Sequence, residues 1–166
     1  MPAVGTPAGT RLASFGSVKL FSGGIFSRRS AVPVLVPPDR SKWTILVIDD
    51  DVEMLNSIRP MLQAVGFNVL TSSSGPKGLD ILRYAQKDVG VVLLDYNMPR
   101  FSGADTLTYL RQLAPNAKII ALTGVASELL PESYRASVDR LMPKPFRSKE
   151  LLACIDELLN LVPTPA

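Results

Sequence analysis

Ile45-Leu46-Val47-Ile48-Asp49-Asp50-Asp51 joins an unbroken apolar run to three consecutive acids. Four apolar residues, three of them β-branched, predict a strand buried on both faces. Val91-Val92-Leu93-Leu94-Asp95 repeats the pattern, with one acid at its end. Carboxylates clustered in one place stay ionised only with a cation among them. A hard divalent metal with oxygen ligands meets that need.

Working outward, strand and helix signals alternate from Lys42 onward. Strands are predicted over residues 44–48, 67–71, 90–94, 118–122 and 139–142. Helices are predicted over 52–65, 74–85, 104–113, 126–136 and 148–161. Met54, Leu55, Ile58, Met61, Leu62 and Val65 recur at the spacing of one helix face, and Gly66 stops that helix. Pro60 inside it is expected to kink or weaken it. Ser74 is placed to cap the second helix, with Pro76 in its first turn. Pro131 interrupts the fourth helix, leaving it weak.

Five strands alternating with five helices predict an α/β fold, a parallel sheet with right-handed crossovers and helices on both faces. The flavodoxin-like doubly wound arrangement has strand order 2-1-3-4-5 and binds ligands at the carboxyl ends of its strands, at the switch point between strands 1 and 3. Asp49, Asp50 and Asp95 all fall there. Asp51 reads as a helix N-cap or first-turn acid instead of a ligand.

The 166 residues suffice for one domain with a real core, at 46% hydrophobic and 20% charged. The absence of histidine excludes Ser-His-Asp and Cys-His catalysis and His-ligated zinc. The single Cys154 excludes an internal disulfide and reads as a small core hydrophobe. Residues 1–44 carry net +5 and residues 45–166 net −2, so the basic character belongs to the start of the chain. That distribution argues against direct nucleic-acid binding by the folded part.

Residues 1–42 are rich in Gly, Pro, Ser and Ala without a persistent period. They read as a disordered basic leader, with only a faint likeness to a transit peptide. Residues 43–161 read as the folded domain and 162–166 as a flexible tail. No segment has the length and apolarity of a membrane span, and a cytoplasmic location is expected.

The residues then carry a family resemblance. Ile-Leu-Val-Ile-Asp-Asp (45–50), Leu-Leu-Asp-Tyr-Asn-Met-Pro (93–99) with Gly103, Ala-Leu-Thr-Gly (121–124) and Met-Pro-Lys-Pro-Phe (142–146) resemble the signature set of response-regulator receiver domains, here in stand-alone form. The resemblance implies that Asp95 takes a phosphoryl group from a histidine kinase or histidine phosphotransfer protein. It implies Mg2+ held by Asp49, Asp50, Asp95 and the backbone carbonyl of Asn97. Thr123, Gly124 and Lys144 would steady the phosphoryl oxygens, and the Lys144–Pro145 bond would be cis. The protein would act as a signalling phospho-acceptor that assists its own phosphoryl transfer and dephosphorylation, not as a turnover enzyme. Its output would be a partner bound on the face of helix 4, strand 5 and helix 5, with homodimerisation a further option.

One position departs from the family. Leu141 stands where an aromatic residue usually couples the threonine to the output face. An interaction module that is never phosphorylated is the alternative; loss of Asp50, Asp95 or Lys144 would favour it, and all three are present. A phosphohydrolase of the haloacid-dehalogenase type is disfavoured, since Asp49-Asp50-Asp51 contains its Asp-x-Asp motif only trivially.

Overall fold

Strands β1 (Thr44–Ile48), β2 (Asn68–Ser72), β3 (Val89–Asp95), β4 (Lys118–Thr123) and β5 (Arg140–Pro143) form one sheet. Every pairing is parallel and the spatial order is β2-β1-β3-β4-β5. Helices α1 (Val52–Ala64), α2 (Gly75–Ala85), α3 (Gly103–Leu113), α4 (Glu132–Ser137) and α5 (Ser148–Leu158) follow the strands in turn. This computed structural model describes residues 35–36, 38–85, 89–161 and 164–165. Residues 1–34 of the basic leader, and 162, 163 and 166 of the tail, lie outside the described residues. Among those described, no helix is long and apolar enough to cross a membrane.

Side chains alternate across each strand, and this alternation divides the core in two. Leu46, Ile48, Val92, Leu94, Ile119 and Ala121 pack with Leu79 and Leu82 of α2 and Leu107 and Leu110 of α3. Ile45, Val47, Leu93, Ile120 and Leu122 pack with Leu55, Ile58 and Leu62 of α1 and Leu151 and Ile155 of α5. Both faces of β1 and β3 are buried, which is why these strands read as continuous apolar runs.

Local chemistry explains several element ends. Asp51 caps α1, accepting from the backbone N–H of Glu53 at 2.9 Å and Met54 at 3.2 Å. Gly66, with φ of +101°, turns the chain out of the helix. Ser102 and Asp105 close a capping box at the start of α3. Gly103 lies so close to β3 that a Cβ would run into the Asp95 carbonyl oxygen and stand 2.8 Å from Tyr96 Cα.

Three expected features take a definite form. Helix α1 runs unbroken through Pro60. Proline deprives the Asn56 carbonyl of its partner, but both residues are on the exposed face, where water can replace it. Ser74 stands directly before α2, its carbonyl accepting from the Gly78 N–H at 3.0 Å, while the hydroxyl bonded there is that of Ser72, which donates to the Ser74 carbonyl oxygen at 2.8 Å. The fourth helix divides into a single 3₁₀ turn, Ser127–Leu129, and the six-residue α4. Pro131 separates them because it lacks the N–H that would continue the helix.

Ordered structure also extends before β1. Leu35–Val36 pairs antiparallel with Thr164–Pro165. Arg40, compositionally part of the leader, makes two bonds to the Asp156 carboxylate on α5, at 2.9 and 2.6 Å, and lies 5.6 Å from the Phe67 ring centroid.

Candidate functional site

The parallel sheet brings the carboxyl ends of all its strands to one edge. Asp49 follows the last residue of β1, Asp95 ends β3, Thr123 ends β4, and Lys144 follows β5. Asp49 and Asp95 are 1% and 4% exposed, whereas Asp50 points to solvent. One carboxylate oxygen from each of the three lies within 4.8 Å of the others.

Backbone bonds hold these ends in place. The Asp49 N–H donates to the Ser72 carbonyl at 3.1 Å, the Tyr96 N–H to Leu122 at 2.9 Å and the Lys144 N–H to Thr123 at 2.7 Å. Each carboxylate also folds back on its own loop. Asp49 Oδ1 accepts from the Asp51 N–H at 2.9 Å, and Asp95 Oδ2 from the Asn97 N–H at 3.0 Å.

Lys144 joins the two buried acids. Its Nζ donates to Asp49 Oδ2 at 2.7 Å and to Asp95 Oδ1 at 2.8 Å. Burial works against this ammonium, but the bonds to Asp49 and Asp95 outweigh it and hold its pKa above the usual lysine value. Asp49 moves upward as well. Its burial is the dominant cause; the bond from Lys144 opposes it, and the Asp95 charge reinforces it. The Lys144–Pro145 peptide bond is cis.

Thr123 is 2% exposed and is engaged with its own loop. Its Oγ1 donates to the Val125 carbonyl at 3.2 Å and accepts from the Val125 N–H at 3.1 Å. Gly124 is exposed, and the Asn97 side-chain nitrogen would lie 3.8 Å from a Cβ placed on it. Leu141 is half-buried against the apolar cluster of the α2–α3 face.

Three carboxylates against one ammonium leave the group formally at −2. An all-oxygen, net-negative donor set of this kind fits a hard divalent cation better than a soft metal. The same charge repels an unaccompanied anion, so a phosphoryl group needs both Lys144 and a cation nearby.

The sequence reading assigned no role to Tyr134, which comes from the weak, proline-interrupted segment. It is buried, and its ring meets that of Tyr96 edge-on, with centroids 4.9 Å apart. An apolar period would have flagged it, but α4 is too short to display one.

Comparison with known proteins agrees with this geometry. Residues 45–156 match the model of the response regulator receiver domain. The transcriptional regulatory protein CpxR of Escherichia coli K12 is 37% identical over 117 residues, which are 70% of this chain and 49% of that protein. The cell cycle transcriptional regulator CtrA of Caulobacter vibrioides is 35% identical over 117 residues, 70% of this chain and 50% of that one. The chain thus spans about half the length of these relatives. A receiver domain crystal structure from Clostridium thermocellum superposes with a TM-score of 0.66 at 31% identity, covering 71% of this chain and 94% of that one. With four signature motifs on four strand ends and a family match spanning the sheet, this chain belongs to the response regulator receiver domain family.

Proposed function

We propose that Asp95 accepts a phosphoryl group from a histidine kinase or histidine phosphotransfer protein, and that this switches partner binding. The observation that carries the reading is the placement of Asp95: buried at the end of β3, 2.8 Å from Lys144 Nζ, with carboxylate oxygens of Asp49 and Asp50 within 4.8 Å.

A carboxylate oxygen of Asp95 attacks phosphorus, the O–P bond forms and the donor's N–P bond breaks. The electron pair goes to the imidazole nitrogen, which takes up a proton. Lys144 turns part of its donor capacity from Asp95 to a phosphoryl oxygen. Thr123 exchanges its bonds to Val125 for another phosphoryl oxygen, and the backbone at Gly124 has no side chain to obstruct it. Asp49, Asp50, Asp95 and the Asn97 carbonyl would hold Mg2+, which when bound would neutralise charge on the phosphoryl oxygens. Dephosphorylation reverses the charge flow: water attacks phosphorus, inorganic phosphate leaves and the Asp95 carboxylate returns. Asn97, beside Gly124, borders the path of that water.

The reaction belongs in the cytoplasm, where phosphodonors are charged from ATP. Output falls to the face of α4, β5 and α5, where Arg140 of β5 pairs with Glu157 of α5 at 2.6 Å. That face contacts a protein, a second copy of the chain included, and this region does not itself contact nucleic acid.

The test is incubation with acetyl phosphate and Mg2+, followed by intact mass. The wild type is expected to gain one phosphate and Asp95→Ala none. No gain in the wild type, or an undiminished gain in the variant, overturns the reading.

A further inference from the structure

Leu141 occupies the strand position where the family resemblance implies an aromatic ring, and it has no polar group to offer. A buried ring nevertheless lies in the apolar cluster that Leu141 packs against, and it comes from α4. Tyr134 is 4% exposed and stands at 63° to the ring of Tyr96, the residue after Asp95. Its hydroxyl is buried without a hydrogen-bond partner among the described residues. Buried polar atoms are rarely left unpaired, and a buried tyrosine hydroxyl usually finds an acceptor. Burial, then the Tyr96 and Asp95 neighbours, push the phenol's pKa up, so the group remains a protonated donor.

One acceptor on the same apolar cluster is held by another donor. The Val125 carbonyl takes the Thr123 hydroxyl at 3.2 Å, and Val125 packs against the cluster that contains Tyr134. If Thr123 turns to a phosphoryl group on Asp95, that carbonyl loses its donor. One unpaired donor and one newly unpaired acceptor then lie on the same apolar cluster. The helix that carries Tyr134 is anchored by side chains at one end only. Its N-terminal end has no side-chain cap, while Arg111 holds the other end through the Ser137 carbonyl at 2.7 and 3.0 Å. Six residues make a marginal helix by themselves.

We propose that Tyr134 is the positioning residue that couples Asp95 to the output face, its hydroxyl taking the Val125 carbonyl that Thr123 releases on phosphorylation. This rests on the reading of Asp95 as phospho-acceptor. The reading of the switch thereby moves from β5 to α4, with Leu141 serving only as packing.

The experiment uses the full chain with ring-labelled tyrosine, treated with acetyl phosphate and Mg2+. Phosphate uptake is read first, by mass. The four tyrosines give four ring signals, and Tyr134→Phe assigns one. The Tyr134 signal is expected to shift on phosphorylation. Amide exchange across residues 131–138 is expected to differ between the two states, and Tyr134→Phe is expected to shrink that ratio by about fivefold, the weight of one buried hydrogen bond. Leu141→Ala should leave the ratio within about twofold of wild type. Tyr134→Phe should still take up phosphate. No uptake by the wild type sinks the phospho-acceptor reading and the coupling with it. Full uptake with an unmoved Tyr134 signal, or with an unchanged ratio in Tyr134→Phe, overturns the coupling alone.

Discussion

Lys144 reaches Asp49 at 2.7 Å and Asp95 at 2.8 Å, so one ammonium bridges two carboxylates that water scarcely touches. Removing it leaves both acids buried without a cation. Lys144→Ala is expected to lose about 2–4 kcal/mol of stability in a chelating buffer, and to recover much of it when Mg2+ is added. Urea unfolding under the two conditions checks this; equal losses in both would oppose it. Asp49 has a different balance. Its folded pKa is raised by burial first, against the pull of Lys144. A carboxylate raised on folding binds its proton more tightly in the folded state. It therefore detracts from stability as pH rises from the ordinary aspartate value, about 3.9, through the folded value. Asp49→Asn is expected to remove that cost, raising metal-free stability at neutral pH by about 1 kcal/mol, and to weaken the response to Mg2+. Melting curves in chelator and in Mg2+ measure both halves of the prediction.

Helix α4 is held chiefly by its neighbours. Arg111 of α3 bonds to the Ser137 carbonyl and, at 2.8 Å, to the Asp139 carboxylate, which also accepts from the Ile119 N–H at 2.9 Å. Burial alone would raise the Asp139 pKa. The bonds from Arg111 and Ile119, with help from Lys118, outweigh it and bring the value below the usual aspartate range. The resulting stability is fully present above about pH 3.9 and is lost as pH falls through the lower, folded value. Asp139→Asn is expected to cost about 1–2 kcal/mol near pH 6, a difference that shrinks toward about pH 3. Denaturant unfolding at the two pH values decides it; a difference that grew on acidification would oppose the assignment. At the start of α3, Gly103 permits a backbone approach that any side chain would block. Gly103→Ala is expected to cost about 2 kcal/mol and to slow phosphate uptake, because the displaced backbone is that of Asp95.

Across the whole molecule, Arg40 joins the segment before β1 to α5, through two bonds to Asp156 and a position over Phe67. Charge-assisted, two-point contacts of this type are among the stronger ion pairs. Arg40→Ala is expected to destabilise by about 1–2 kcal/mol, lowering the melting temperature by about 3–8 °C. Phosphate uptake should be unchanged, since Arg40 lies before β1, and Asp49 and Asp95 lie at the opposite ends of their strands. Calorimetry with a parallel mass measurement separates the two effects.

Much of this was legible in the sequence because it is local. Apolar runs in β1 and β3 mark strands buried on both faces, and a strand-ending Asp must sit at the edge where parallel strands finish. Asp51 was legible as a cap for the same reason: its partners, Glu53 and Met54, are adjacent in the chain. What required the tertiary structure involves distant residues or a frustrated local signal. Pro60 is expected to kink or weaken α1, and only the packed structure shows the helix continuing through it with Pro60 on the exposed face. Arg40 reads as leader composition, yet its partner is 116 residues away. The bridge from Lys144 spans 95 residues to Asp49 and 49 to Asp95. Tyr134 carries no sequence signal, because α4 is too short for a period and its environment is made by the neighbouring elements. The strand-ending acids, and the type of site they form, follow from the sequence by itself. How Lys144 bridges two of them, and which aromatic ring lies beside them, depended on how the sheet and its helices pack.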